Sequence, residues 1–420
     1  MRTSGISESL LRRNSIDFLR LFFAALVIVS HAYPLTGRGD DPLEFVSHNG
    51  ESLGGLAVAG FFALSGLLIT RSYLTTGAPL PFLWHRILRI FPAFWVCLLA
   101  TVLLFGPLAA ILEGVSLGSY VTAHGGPLGY LVHNATLQMR QYELSGLLAH
   151  LPYPSVFDGS LWTLANEFGC YLVVGLLGAS GLLTRARWLL PLLGLALLGV
   201  LAVPAVLALP GVRSVYADVS GGNIQLVRQW TYFFLGASAY LYRKQFPLMW
   251  PVALAALLAY GTAARFSGAS PLAVAVSVPL LTYIVLYVAF RLPIFGAARF
   301  GDISYGVYIY AFPVQQLVVL LLGAALALWA DLALVLAITV LLALLSCHGI
   351  ERPCLRLKHA LPRLKPLDGA GVWADAVARW ALGTTRGADV PQPWSPATWR
   401  AAEGAAVAGP HPVSPRDTSR

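Results

Sequence analysis

Ten apolar blocks rich in Leu, Ala, Val and Gly recur along this 420-residue chain. They lie at approximately 14–35, 54–74, 88–112, 161–183, 189–209, 228–242, 247–264, 271–290, 303–325 and 331–351. Crossing the ~30 Å hydrocarbon of a bilayer takes about 20 residues of helix. Most of the blocks meet that length, and the sixth is the shortest candidate. Charged residues are only 11% of the chain and hydrophobic ones 57%, whereas a soluble domain carries about 25% charged residues. Too little polar surface is left to coat a water-soluble globule of this size. A cytosolic enzyme, a disordered protein and a disulfide scaffold are thereby excluded. The fold class expected is an all-α polytopic membrane protein of about ten transmembrane helices.

The first block is not read as a signal peptide. Arg12 and Arg13 precede it, but its apolar run is too long and His31-Ala32-Tyr33-Pro34 follows in place of a small-residue cleavage site. With ten spans, Arg12, Arg13, Arg71, Arg86, Arg89, Arg185, Arg187, Arg243, Lys244, Arg291, Arg299, Arg352, Arg356 and Lys358 fall on one side. The opposite loops hold Arg38, Arg140, Arg213 and Arg265, with Arg228 opening a span. Lys and Arg collect in cytoplasmic loops, so both termini are expected inside. An odd number of spans would scramble this asymmetry.

Three parts follow: a cytoplasmic N-terminus at 1–13, a transmembrane domain at 14–358 and a cytoplasmic, largely disordered tail at 359–420, with a short interfacial helix expected near Trp373–Leu382. The polar, acidic stretch 37–53 and the long stretch 113–160 face the outer side, and a piece of the latter near 128–137 reads as re-entrant or interfacial. No Cys has a metal-ligand or redox spacing, so neither a metal nor a disulfide framework is expected. The formal charge of +9 comes from residues between apolar blocks rather than from a basic stripe, so nucleic acid is not an expected partner. No internal repeat is visible, which weakens the common transporter plans.

Ionisable residues inside apolar spans cost several kcal/mol unless they face protein or water, which makes each a functional candidate. Asp17 and Arg20 are three residues apart on one helical face, where they could pair. His31 follows eleven residues after Arg20, on the same face and roughly 16 Å farther along the axis. One helix thus presents a cation near its inner end and an imidazole near its outer end. Glu167 lies about 9 Å inside its span and His31 about 6 Å inside its own. Equal depth would let the carboxylate orient the imidazole for general acid–base work. Arg86 and Arg89 open the third span at the inner face. They serve either as plain topology signals or as a clamp for phosphate oxygens. In Phe61-Phe62-Ala63-Leu64-Ser65-Gly66, Ser65 reads as a packing residue rather than a nucleophile, because no base adjoins it.

Several of these motifs together resemble acyltransferase family 3, the membrane O-acyltransferases that acylate sugars of surface polysaccharides, glycolipids, antibiotics and related acceptors. Arg20 followed by ten residues and His31 is similar to that family's Arg-x10-His signature, and Phe61 to Gly66 to its Phe-Phe-x-x-Ser-Gly. Arg86 to Pro92 resembles its basic inner loop, and Leu161-Trp162-Thr163-Leu164 through Glu167 and Tyr171 its Trp-Ser-Leu-x-x-Glu block. Ser304-Tyr305-Gly306-Val307-Tyr308 and Glu351-Arg352-Pro353 resemble its two late motifs. The resemblance spans about 14–358. It implies ten spans, an acyl-CoA donor (most often acetyl-CoA) from the cytoplasm, and an acceptor often presented on the outer side. It also implies His31 as the catalytic residue with Arg20 nearby. Where many members carry His in a late Tyr-Leu-x-His-x-Pro motif, this chain reads Tyr308-Ile309-Tyr310-Ala311-Phe312-Pro313. No fused hydrolase-like domain is expected after the last span.

The expected function is therefore an integral membrane O-acyltransferase of a bacterial inner or plasma membrane. It would move an acetyl group from acyl-CoA to a sugar hydroxyl of a polysaccharide or glycolipid. His31, Glu167 and Arg20 are the expected catalytic residues, and Arg86 and Arg89 the expected holders of acyl-CoA. Asp17, Ser65, Trp162, Tyr171, Tyr305 and Glu351 would bind substrate or support the site. No bound cofactor is expected, and a homo-oligomer is left open. The other readings are a transporter or exporter of a small or lipid-linked substrate, and a non-catalytic membrane protein.

Overall fold

A computed structural model of the chain describes residues 5–47, 51–209, 223–268, 270–292, 294, 302–323 and 326–359. All belong to one compact unit, Met1–Lys365; a second, Pro366–Arg420, lies outside the described residues together with the helix expected near Trp373–Leu382, Arg213 and Arg299. Each of the ten apolar blocks is a helix, and no strand occurs among the described residues. They are α1 (Ile16–Leu35), α2 (Leu53–Thr76), α3 (Pro79–Leu112), α4 (Trp162–Ala179), α5 (Leu189–Ala202), α6 (Ile224–Leu241), α7 (Trp250–Phe266), α8 (Pro271–Arg291), α9 (Ser304–Leu322) and α10 (Leu328–Arg356). By length and composition α1, α2, α3, α8, α9 and α10 can cross a membrane, which makes this a multi-pass membrane protein. The other four are shorter or, like α4 and α6, carry polar groups such as Glu167 and Arg228. The helix α3 begins well before the expected 88. Pro79 occupies its first turn, where a missing N–H costs nothing, so Arg86 and Arg89 lie on the helix rather than ahead of it.

Two glycines set the closest packing. Helices α2 and α6 share the most extensive contact in the bundle. A Cβ on Gly66 would run into the Phe233 carbonyl oxygen, and one on Gly236 into that of Ala63. Small residues at such a crossing let backbones approach where lipid supplies no hydrophobic drive. In the Phe-Phe-x-x-Ser-Gly motif, then, Gly66 does the packing and its neighbour is free for other work.

Proline shapes the two longest helices. Both contain one wide π-type turn, Thr101–Phe105 and Cys347–Glu351, and each turn is followed two residues later by proline, Pro107 and Pro353. Proline has no N–H, and its ring collides with the carbonyl four residues back. A widened turn relieves that collision. One carbonyl in the first turn, that of Val102, accepts from the Tyr120 hydroxyl at 2.7 Å. The second turn aims Glu351, 1% exposed, into the protein, which gives the Glu351-Arg352-Pro353 motif a mechanical meaning.

Contacts sort the helix ends into two groups. At one end Ile6 N–H donates to the Arg243 carbonyl (2.7 Å), Arg71 to that of Leu11 (3.0 Å) and Trp84 to that of Leu357 (3.0 Å). At the other, Ser30 meets Asp41, Glu51 pairs with Arg228, and Gln316 donates to the carbonyls of Tyr153 and Val156 (both 2.8 Å). The long stretch between α3 and α4 packs at this second end. It includes a helix at Pro127–Asn134 whose Tyr130 hydroxyl donates to the buried Asp158 carboxylate at 2.7 Å. Asn134 closes the following turn by accepting from the N–H groups of Arg140 (2.9 Å) and Gln141 (3.1 Å).

Candidate active site

Helix α1 carries Arg20 to one end of the bundle and His31 to the other. His31 lines a cavity of about 410 Å³ whose wall includes Tyr153, Trp162, Thr163, Tyr308 and Phe312. Phe312 stands edge-on to the imidazole with ring centroids 5.3 Å apart. The ring nitrogen Nδ1 is buried without a hydrogen-bond partner. Next to it Ser30 donates to Asp41 Oδ2 at 2.5 Å. Asp41 also accepts from the N–H groups of Leu43, Glu44 and Leu53, at 2.9, 3.0 and 2.8 Å. It thereby caps two helices and pins the acidic segment 37–53 onto α1 beside His31. Ala311, which occupies the place of the late His of many family members, is buried, and the following Phe312 covers His31.

The Arg20 end holds a charge network. Arg20 pairs with Asp302 rather than with Asp17, its expected partner, which is exposed. Asp302 stands just ahead of α9, held by Ser304 Oγ at 2.5 Å, and takes a second guanidinium from Arg89. Burial alone would push the Asp302 carboxyl up, but Arg20 and Arg89 hold it well below the usual carboxylate range. Two cations on a fixed carboxylate outcompete one solvated neighbour, which is why the local Arg20–Asp17 pair does not form. The other nitrogen of Arg89 reaches Glu351 Oε2 at 3.0 Å, and its guanidinium lies 5.9 Å from the Tyr305 ring centre. Tyr305 in turn donates to the Ile90 carbonyl at 2.9 Å. Arg89 is thus committed within the protein. Arg86 is not: its Nε is buried without a partner and its only hydrogen bond among the described residues is a long one, 3.5 Å, to Ser72. Beyond the span, burial and the nearby Arg86 and Arg89 push the Lys358 ammonium down, so a further cation shares this end.

Glu167 does not meet His31. Its Oε1 accepts from Ser65 at 2.8 Å and from Tyr171 at 2.6 Å. With Arg20, Phe61, Phe62 and Tyr305 it lines a second, smaller cavity of about 40 Å³. The expected equal depth fails because α4 does not start at the surface. Asp158 and Leu161 just before it are 0% exposed and Ser160 3%, so counting inward from Trp162 begins well inside the bundle. Trp162 and Thr163, not Glu167, are the α4 residues that line the cavity with His31. Ser65 has the polar task of holding Glu167, which the packing reading of its motif overlooked.

The two cavities share Val58, Thr163 and Tyr308 as a common wall. Tyr308 is fixed there by donation to the Ser160 carbonyl at 2.7 Å and by Thr163 at 2.6 Å. A polar line therefore runs from Arg20 and Glu167, past one phenol, to His31. Such an arrangement can admit a long, thin, anion-headed molecule from one end and a polyhydroxylated one from the other. Asp41 stood out in the sequence only as one of four acids in the segment 37–53, and nothing there pointed to Asp302 or Phe312 as site residues. The only signal for Asp302 was an acid two residues ahead of a helix-opening Ser304.

Comparisons with known proteins bear on the family. The profile of the Acyltransferase domain family matches residues 13–348, which span every side chain of both cavities. The O-acetyl transferase of Shigella phage Sf6 is 32% identical over 324 residues, covering 73% of this chain and 86% of that protein. Nodulation protein 10 of Rhizobium leguminosarum bv. viciae is 29% identical over 372 residues, covering 83% and 95%. No solved structure matches the chain significantly. A profile match over most of the chain and a relative 32% identical and covered to 86% of its length leave one conclusion: the chain belongs to acyltransferase family 3.

Proposed function

We propose that the protein is an integral membrane O-acetyltransferase that takes an acetyl group from acetyl-CoA at the Arg-rich end and delivers it to a sugar hydroxyl at the His31 end. The chain crosses the membrane ten times, with both termini and the Arg-rich end in the cytoplasm of a bacterial cell, in keeping with the distribution of Lys and Arg. The observation that carries this reading is His31 itself. It is a histidine with an unpartnered buried nitrogen, on the wall of a cavity, one helix away in depth from a cluster of arginines.

Arg86 and Lys358 bind the anionic head of acetyl-CoA, Arg86 being the arginine left free by the inner network. Arg20 and Glu167 line the passage for the thioester arm. Arg89, with Asp302 and Glu351, fixes the helices around it. At the outer end the unprotonated imidazole nitrogen takes the proton of the sugar hydroxyl. The sugar oxygen attacks the thioester carbonyl carbon, the C–S bond breaks, and the imidazolium returns the proton to the departing thiolate. The products are an acetyl ester and free CoA thiol. General-base help of this kind is worth about 10²–10⁴-fold, and holding both substrates in register supplies much of the remainder. Aromatic faces at Tyr153, Trp162 and Phe312 suit a sugar ring. The phage relative's name, O-acetyl transferase, supports acetyl as the group moved.

Thiol release from acetyl-CoA, measured on reconstituted protein with and without a glycolipid extract, tests the reading. Acceptor-stimulated release that disappears in His31→Ala supports it. Equal release from wild type and His31→Ala would overturn it.

A further inference from the structure

We propose that the outer cavity selects its acceptor by charge: it takes a neutral or amino sugar and rejects sugars bearing carboxylate, phosphate or sulfate. This rests on the transferase reading and narrows it to an acceptor class.

Asp40, Asp41, Glu44 and Glu51 all line the cavity, against one guanidinium, Arg228. Arg228 is ion-paired with Glu51, which is 1% exposed, so it is already answered by a carboxylate of the same wall. Asp41 is held on the wall by its four donors, Ser30 and the N–H groups of Leu43, Glu44 and Leu53. Asp40 and Glu44 are exposed and stand at the rim. Partial burial, and then the charges of Asp40 and Asp41, push the Glu44 carboxyl up, as expected where carboxylates crowd one opening. An incoming anion meets this field before it meets His31.

A second, independent observation points to a polar ligand. Tyr232 is 1% exposed, lines the cavity, and its hydroxyl has no hydrogen-bond partner. A buried phenol is normally hydrogen-bonded, and a sugar hydroxyl supplies the missing partner. Gln229 also lines the wall, with its Oε1 held by Asn166 at 3.0 Å. A volume of about 410 Å³ is at the small end for ligand pockets and suits one ring of a glycan. Carboxylates at the rim accept from neutral hydroxyls and attract an ammonium group. Like charges placed across a site are suppressed.

The test uses the full-length protein in a bacterial host whose envelope glycans contain both neutral and uronic acid residues. Glycans from cells with and without the protein are compared by mass spectrometry for the sugars that gain acetyl. The preference for neutral or amino sugars over acidic ones should be at least about tenfold. Asp40→Asn/Glu44→Gln, and Asp40→Asn alone as the milder variant, should lower that ratio. Acetyl found mainly on uronic or phosphorylated sugars overturns the proposal, as does a ratio that neither variant changes. Acetyl gained by no sugar of either class instead overturns the transferase reading, and this one with it.

Discussion

The two ends of the bundle use charge in opposite ways. At the Arg20 end a core of charges answer one another, with Arg86 left over. Arg20 and Arg89 bracket Asp302, and Arg89 reaches on to Glu351, two cations against two carboxylates. At the His31 end Asp41 is answered by Ser30 and backbone N–H groups and Glu51 by one arginine, while the nearby His31 Nδ1 is left without a partner. A saturated network holds helices in place, and an unsaturated group next to a cavity can react. The same polytopic frame thus keeps rigidity and reactivity about 16 Å apart on a single helix.

That contrast can be broken at either end. The largest effect is expected for His31→Ala, which should lower acetyl transfer by about 10²–10⁴-fold while leaving the thermal midpoint of the detergent-solubilised protein nearly unchanged. Arg89→Ala should do the reverse in kind. It leaves Glu351 buried and unpaired, a loss of about 3–5 kcal/mol, seen as a sharply lower thermal midpoint or absence of folded monomer. If Arg89→Ala folds normally and loses only activity, the inner network is a binding site rather than a brace.

A smaller loss is expected at the crossing of α2 and α6. Gly66→Ala drives a methyl into the Phe233 carbonyl, at a cost of about 1–3 kcal/mol. Because Ser65 is adjacent, transfer activity should fall along with stability. Gly77→Ala, which meets nothing within 4 Å but has a φ of +70°, controls for backbone strain alone.

The smallest effect sharpens the contrast through pH. Burial raises the Asp158 carboxyl from 3.8 to about 6. The folded state therefore holds this proton more tightly than the unfolded chain, and its stabilising effect is complete below about pH 4 and lost as pH rises to about 6. The stability of wild type relative to Asp158→Asn, followed through the thermal midpoint, should fall across that window, by about 3 kcal/mol at most, and stay flat above it. No slope would mean that Asp158 is solvated when the loop breathes.

The frame was legible because its cause is local. Long apolar runs give helices, and their ends came out within a few residues except where Pro79 starts α3 early, where α5 stops at Ala202 ahead of Pro204, and where α10 runs on to Arg356. The Arg20 and His31 pair was legible too, since eleven residues on a helix fix a shared face. What could not be read were partners brought from elsewhere. Asp302 answers Arg20 from 282 residues away along the chain. Asp41 reaches the His31 neighbourhood only because the outer segment folds back onto Ser30. Glu167 was assigned to His31 by counting depth from the start of α4, and that count failed because Asp158, Ser160 and Leu161 are themselves buried. Periodicity gives the face of a helix but not the level at which it enters the bundle.

The division of labour between the two ends is tested most directly by sidedness. Proteoliposomes carrying the protein in one known orientation are given labelled acetyl-CoA on one face and a glycolipid acceptor extract on the other. Acetylated glycan should form only when acetyl-CoA meets the Arg86 face and the acceptor meets the His31 face. Equal product with both substrates confined to the Arg86 face would contradict the account.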